Sequence, residues 1–204
     1  MSRVAGVILA AGTSSRLGSP KQLLDLGGKP VLAHTLAAVR QTTLDPIIVV
    51  LGYEAERIAA SVDLEQVETI YNPDYLSGQS SSVRTALGAL PLDVAAVLFI
   101  LGDQPLVEPV VIERLTSAFR QDPPIIVQPK YREGRGNPVL ISRELFNELN
   151  ELTGDTGARP LIDRYREQVQ LVDVSEYGRP DDIDTREDYE RIRRDFEERR
   201  DRLR

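Results

Sequence analysis

The run Ala95-Ala96-Val97-Leu98-Phe99-Ile100-Leu101 contains no polar side chain and leads straight into Gly102-Asp103-Gln104-Pro105. A strand with one wet face alternates apolar and polar residues, whereas a strand apolar on both faces must be covered on both. The segment therefore reads as a central strand between two layers of other structure. Shorter apolar runs lie at Val4 to Leu9, Pro46 to Leu51 and Val67 to Tyr71, with further candidates at Ile125 to Gln128, Pro138 to Ile141 and Val169 to Val174. Amphipathic stretches separate them: Pro30 to Arg40, Glu54 to Ala60, Ser80 to Leu90, Glu108 to Arg120, Arg143 to Leu149 and Pro160 to Arg166. Buried strands alternating with helices predict an α/β fold, a three-layer α/β/α arrangement around a mostly parallel, Rossmann-like sheet. With no low-complexity linker and no internal repeat, residues 1–190 are expected to form a single domain and residues 191–204 a charged helical tail. Tyr189, Ile192 and Phe196 recur at helical spacing and could dock one face. The rest of the tail predicts a solvated helix that frays at its end, with partner binding as the alternative.

In open sheets of this kind, ligands sit beyond the carboxyl ends of the strands. The loop that follows the first strand, Leu9-Ala10-Ala11-Gly12-Thr13-Ser14-Ser15-Arg16-Leu17-Gly18-Ser19-Pro20-Lys21, is built for such a place. Ala10, Ala11 and Gly12 let the backbone approach a ligand closely. Three hydroxyls follow, and Gly18 permits a tight reversal. Arg16 and Lys21 add two cations, a set that suits a polyphosphate; the alternative is a polar turn with two solvated cations. The loop lacks the Gly-Lys-Ser/Thr ending of a P-loop and the G-x-G-x-x-G spacing of a dinucleotide fingerprint.

Asp103 closes the strongest strand and so points into the same crevice. It is either an ordinary Asx turn or an oxygen ligand for Mg²⁺, an ion that takes one or two carboxylates plus substrate phosphates. The segment Asn72 to Val83 follows the third strand. Gly78 allows a sharp turn, and Ser80, Ser81 and Ser82 precede a helical pattern. Either Ser80 or Ser81 can serve as helix cap. The remaining hydroxyls and Asn72 are groups that a pyrimidine edge and a ribose need. Two later loops, Gly134 to Val139 and Gly154 to Pro160, bring Lys130, Arg132, Arg135 and Arg159 into one region of sequence. They are either solvated loops or a pocket for an anionic second substrate. Asp184 and Glu187 have the spacing of a capping box, which leaves Asp182 as the expected second metal ligand and Asp184 as the alternative.

The pattern L-A-A-G-x-S-x-R-x-G-x-P-K resembles the nucleoside-triphosphate transferase superfamily, and G-D-Q-P resembles its metal-binding G-D-x-P. Taken with S-S-S-V-R-T-A-L, G-N-P-V, G-D-T-G-A-R and D-I-D-T, residues 4 to 190 resemble the molybdenum cofactor cytidylyltransferases within the MobA-like nucleotidyltransferases. That resemblance implies a fold of the nucleotide-diphospho-sugar transferase type and transfer of CMP from CTP to the terminal phosphate of molybdenum-bearing molybdopterin. It implies Arg16, Lys21 and Asp103 as catalytic residues. Leu9, Ala10, Ala11, Gly12, Asn72, Gly78, Ser81 and Ser82 would bind the nucleotide, and Asp103 with Asp182 would hold Mg²⁺. GTP users in this family usually read L-A-G-G, so the Ala11 methyl is expected to favour cytosine. The alternatives are another acceptor, such as a sugar phosphate, and a non-enzymatic carrier of molybdenum cofactor that serves a molybdenum hydroxylase.

Composition closes off other chemistries. Without cysteine there is no thiolate nucleophile and no zinc–thiolate site, and a single histidine, His34, excludes a multi-histidine metal centre. A net charge of −7 argues against nucleic acid as a partner. With no apolar stretch of bilayer length and an opening strand in place of a signal peptide, no membrane partner and a cytoplasmic setting are expected.

Overall fold

A computed structural model describes residues 2–202. The sheet contains β1 (Arg3–Ala10), β4 (Ile47–Leu51), β5 (Glu68–Tyr71), β6 (Val94–Leu101), β7 (Ile126–Tyr131), β8 (Gly134–Arg135), β9 (Val139–Ser142) and β10 (Val169–Asp173). Its order is β10-β7-β9-β6-β1-β4-β5, with β8 appended to β7. The pairs β1–β4, β1–β6, β4–β5 and β7–β10 are parallel, and β9 runs antiparallel between β6 and β7. The expected α/β/α architecture with a mostly parallel sheet is the one observed.

Alternation along the strands feeds two cores. Ile8, Val49, Leu98 and Ile100 face one side, beneath α1 (Val31–Val39), α2 (Ala55–Ser61) and α4 (Pro109–Gln121), where Leu36, Ile58, Ile112 and Phe119 complete the packing. Val7, Ile48, Val97 and Phe99 face the other side, beneath α3 (Gln79–Ala89), α5 (Phe146–Glu151) and α6 (Arg159–Arg164), with Val83, Leu149 and Leu161. Fully buried Leu and Ile side chains contribute roughly 1.5–3 kcal/mol each relative to exposure, so this two-sided burial fixes β6 and β1 at the centre.

A third cluster was not foreseen. The short strands β2 (Asp25–Leu26) and β3 (Lys29–Pro30) form a hairpin whose Leu26 packs with Val31, Ile183 and Ile192. The last of these lies on α7 (Arg186–Arg202). Phe196 covers Gly27 (φ +63°) so closely that any side chain there would meet its ring, and it stands edge-on to His34 at 4.9 Å. The Tyr189 hydroxyl donates to the Asp25 carbonyl. The helix and the docking face expected from Tyr189, Ile192 and Phe196 are both observed: α7 packs by that face, leaves its other faces exposed, and runs through residue 190 without a break. Leu203 and Arg204 of the expected tail lie outside the described residues. Among the described residues no helix is long and apolar enough to cross a membrane.

Candidate active site

The carboxyl ends of β1 and β6 lie side by side, and the Gly102 N–H donates to the Leu9 carbonyl at 2.9 Å. This pairing sets the loop from Ala11 to Lys21 beside Asp103. The loop is held from within. The Lys21 N–H donates to Ser14 Oγ (2.9 Å), with Ser14 itself at φ +53°. The buried amide of Gln22 donates from Nε2 to the Ala10 carbonyl (2.9 Å). The Lys21 ammonium then bridges Asp103 and Asp184 Oδ1, the latter at 3.0 Å. Side-chain exposure is 15% for Lys21, 13% for Asp103 and 52% for Asp184. Burial disfavours the Lys21 charge, but the carboxylates of Asp103 and Asp184 outweigh it and hold its pKa above the ordinary lysine value.

Asp182 lies near Asp103, Asp184 and Lys21. Gln104 Nε2 donates to Asp182 Oδ1 (2.5 Å) and to the Pro180 carbonyl (3.2 Å), and the Ile183 N–H donates to the Asp103 carbonyl (3.3 Å). Burial, reinforced by the Asp103 charge, pushes the Asp182 carboxyl above its usual range. The expected capping box is corrected. Thr185 caps α7: its N–H donates to Asp188 Oδ2 (2.9 Å), and its Oγ1 accepts from the Asp188 N–H (3.2 Å). Asp184, freed from that duty, pairs with Lys21 instead.

The nucleotide-side residues divide. Leu9, Ala11, Gly12, Gly78 and Ser82 line a cleft of about 1350 Å³, as do Arg16, Lys21, Asp103 and Asp182. Asn72, Ser81 and Ala10 stand behind its wall. Asn72 is fully buried; its Nδ2 donates to Ser81 Oγ (2.8 Å) and Ser82 Oγ (3.0 Å), and its Oδ1 accepts from the Asp74 N–H (2.9 Å). It sets the loop's shape, and its polar atoms are consumed in doing so. Neither Ser80 nor Ser81 caps α3, a correction to the sequence expectation. Gly78 precedes the helix at φ +95°, where a Cβ would meet the Gly154 carbonyl carbon at 2.5 Å. Asp155 Oδ1 accepts from the Gln79 N–H (3.1 Å), and the Gly154 carbonyl accepts from the Ser80 N–H (3.1 Å). A loop 76 residues downstream therefore caps α3.

Of the four cations expected in the acceptor region, Arg135 and Arg159 line the cleft, whereas Lys130 and Arg132 do not. Arg179 and Arg166 join them there. Among the described residues no ion pair is formed by Arg16, Arg135, Arg159 or Arg179. The cleft lining thus mixes arginines that form no ion pair with aspartates, of which Asp103, Asp182 and Asp184 gather around Lys21. That contrast suits phosphate groups steered toward a site with carboxylates for a cation.

The sheet order, with a small-residue loop after the first strand and a carboxylate at the end of the central strand, is that of a nucleotidyltransferase. The chain belongs to the MobA-like NTP transferase family, whose domain matches residues 6–169. It is 30% identical to nicotine blue oxidoreductase of Paenarthrobacter nicotinovorans over 203 residues, covering 93% of this chain and 96% of that one. It is 38% identical to the bifunctional protein GlmU of Kineococcus radiotolerans over 183 residues, covering 84% of this chain but 34% of that longer protein. Among solved structures, Rv0371c of Mycobacterium tuberculosis H37Rv superposes with a TM-score of 0.87 at 34% identity, covering 95% of this chain and 98% of the other. A manganese complex of Rv0371c superposes at 0.83 and 33% identity, covering 94% and 98%.

Proposed function

We propose that this protein transfers CMP from CTP to the terminal phosphate of molybdenum-bearing molybdopterin, releasing pyrophosphate. The observation that carries the reading is the Lys21–Asp103 contact where the ends of β1 and β6 meet. It joins a cation suited to neutralise phosphate to a metal-capable carboxylate within the cleft. An acceptor phosphate oxygen attacks the α-phosphorus in line; a new P–O bond forms as the bond to the β-phosphate oxygen breaks, and that electron pair leaves with pyrophosphate. The nucleophile is already an anion, so no general base is required. Catalysis rests on alignment and charge neutralisation. Lys21, with Arg16 at the mouth, neutralises the β- and γ-phosphates. Ala11 and Gly12 bring the backbone close to the triphosphate, and Ser82 offers a hydroxyl toward the nucleoside.

The donor set fits Mg²⁺ or Mn²⁺. Asp103 and Asp182 are two nearby carboxylates whose mutual repulsion a cation would relieve. Among the described residues no three acidic or histidine side chains converge on one point, so substrate oxygens would complete the coordination. When bound, the ion neutralises charge developing at the α-phosphate. The ion-pairing of Lys21 with both Asp103 and Asp184 is machinery for which a simple carrier of the cofactor has no need. A working setting in the cytoplasm, with delivery of product to a molybdenum hydroxylase, belongs to the same reading.

The test is a pyrophosphate-release assay with each NTP, Mg²⁺ and a panel of phosphate acceptors. CTP with molybdopterin is expected to win; a better turnover with a sugar phosphate would replace the acceptor. The near full-length match to nicotine blue oxidoreductase favours one second arm, consumption of a two-electron donor in the presence of nicotine blue.

A further inference from the structure

Three stretches of chain bring Lys21, Asp103, Asp182 and Asp184 together, and each also sends apolar side chains into one small cluster, separate from the two cores that flank the sheet. Leu17 and Leu24 lie on either side of Lys21 in sequence. Leu106 follows Asp103 by three residues. Ile183 stands between Asp182 and Asp184; it is 0% exposed, while both aspartates line the cleft. Leu26, on the hairpin that follows Lys21, is equally buried. Backbone bonds tie these stretches to the charged groups. The Ile183 N–H donates to the Asp103 carbonyl (3.3 Å), and the Leu24 N–H to the Lys21 carbonyl (3.2 Å).

The cluster is covered by α7. Tyr189, Ile192 and Phe196 are the apolar residues of Arg186–Arg202, and all three pack here. Ile192, at 0% exposure, reaches the cluster's centre. The helix has no second apolar face with which to dock. Its ion pairs to other segments, Arg191 with Asp181 (3.3 Å) and Arg199 with Glu108 (2.6 Å), are partly exposed and hold little. The docking of α7 therefore rests on the apolar residues that flank the charged groups of the site.

We infer that Ile192 is a positioning residue: packed in one cluster with Ile183 and Leu26, it holds Lys21 and the three aspartates in register without touching a substrate. Ile183 cannot relax toward a hole left by Ile192 without carrying Asp182 and Asp184 with it. Lys21, anchored on Asp184, follows. In an aligned constellation a displacement of about 1 Å costs roughly a hundredfold. The inference rests on the transfer reading for what the constellation does, but its test needs no turnover.

The experiment titrates Mg²⁺–CTP calorimetrically into wild type, Ile192→Ala, Ile192→Val and Leu115→Ala, at a temperature well below every melting transition. Leu115 is the control: it is 0% exposed on α4, in the core beneath the sheet, and its truncation removes as many carbons as that of Ile192. Ile192→Ala is expected to bind at least tenfold more weakly than wild type. Ile192→Val, which keeps the branched shape, should return to within threefold. Leu115→Ala should stay within twofold although its melting temperature falls comparably. Phe196→Leu, a milder loss at the partly buried end of the stripe, is expected to weaken binding about threefold, and it serves in place of Ile192→Ala where that variant melts too early. Wild-type affinity in a folded Ile192→Ala, or an equal loss in Leu115→Ala, overturns the inference. If Ile192→Ala alone loses Mg²⁺–CTP but wild type yields no pyrophosphate with any acceptor, the transfer reading fails and the positioning role stands.

Discussion

Replacing Lys21 by Met keeps the aliphatic stem and removes the charge, and the structure fixes two separate consequences. In the transition state, one preorganised charged contact to the leaving pyrophosphate is lost. Such losses cost about 3 kcal/mol, or roughly a hundredfold in kcat. In the resting protein, Asp103 loses a partner while only 13% exposed and lies near Asp182. Leaving a buried charge unpaired costs about 3–5 kcal/mol; the open cleft places this site near 3. The Asp184 pair, half exposed, adds under about 1 kcal/mol. Because the two effects have different origins, they separate in the double variant. Adding Asp103→Asn removes the stranded carboxylate, so chemical denaturation should show stability regained. Pyrophosphate release at saturating NTP should remain depressed at least as far. Wild-type kcat in Lys21→Met, or a double variant no more stable than the single one, would refute the reasoning.

Three further outcomes follow from named contacts. Asp103→Asn alone should weaken Mg²⁺–CTP binding in calorimetric titration and lower turnover at least tenfold, because a neutral amide is a poor ligand for a hard cation. Ala11→Gly should raise the ratio of GTP to CTP use in parallel pyrophosphate assays; it also removes a buried methyl group beside Gly52, so a loss of about 1 kcal/mol in stability accompanies it. His34 is held below its ordinary pKa of 6.5 by burial, with Lys29 assisting and the Leu26 carbonyl and Asp25 opposing. A depressed value stabilises the fold above about pH 6.5, and that contribution is lost as pH falls. His34→Gln should therefore flatten the melting temperature between pH 7.5 and 5 relative to wild type; identical pH slopes would contradict it.

The central strands and the phosphate loop were legible because their signals are local. A two-sided apolar run such as Ala95 to Leu101 has one comfortable position, and an ordered motif such as Leu9 to Lys21 carries its own chemistry. What escaped the sequence is relational. Asn72 has the chemistry of a ligand-reading amide, and only burial shows that Ser81, Ser82 and Asp74 consume it. The cap of α3 comes from Asp155, far along the chain, so the neighbouring serines drew attention that belonged elsewhere. In Asp184-Thr185-Arg186-Glu187-Asp188 two overlapping capping boxes are spelled, and the choice of Thr185 is what hands Asp184 to Lys21. Gln22, Gln104 and Gln128 gave no sequence signal, since an isolated glutamine has no pattern; each stands out once its burial and missing partner are seen. The docking of α7 was half visible in the spacing of Tyr189, Ile192 and Phe196. The hairpin that receives it was hidden in two-residue strands.

The central claim is that a nucleotidyl group passes from an NTP to an acceptor phosphate at the junction of Lys21 and Asp103. The most direct measurement follows label from α-³²P CTP, with Mg²⁺ and molybdenum-bearing molybdopterin, into the acceptor product, and assays unlabelled pyrophosphate in parallel. The account predicts labelled CMP joined to the acceptor with one pyrophosphate released per transfer, and both at least tenfold slower in Asp103→Asn. Label that stays in CTP with every acceptor, or transfer unaffected in Asp103→Asn, would contradict it.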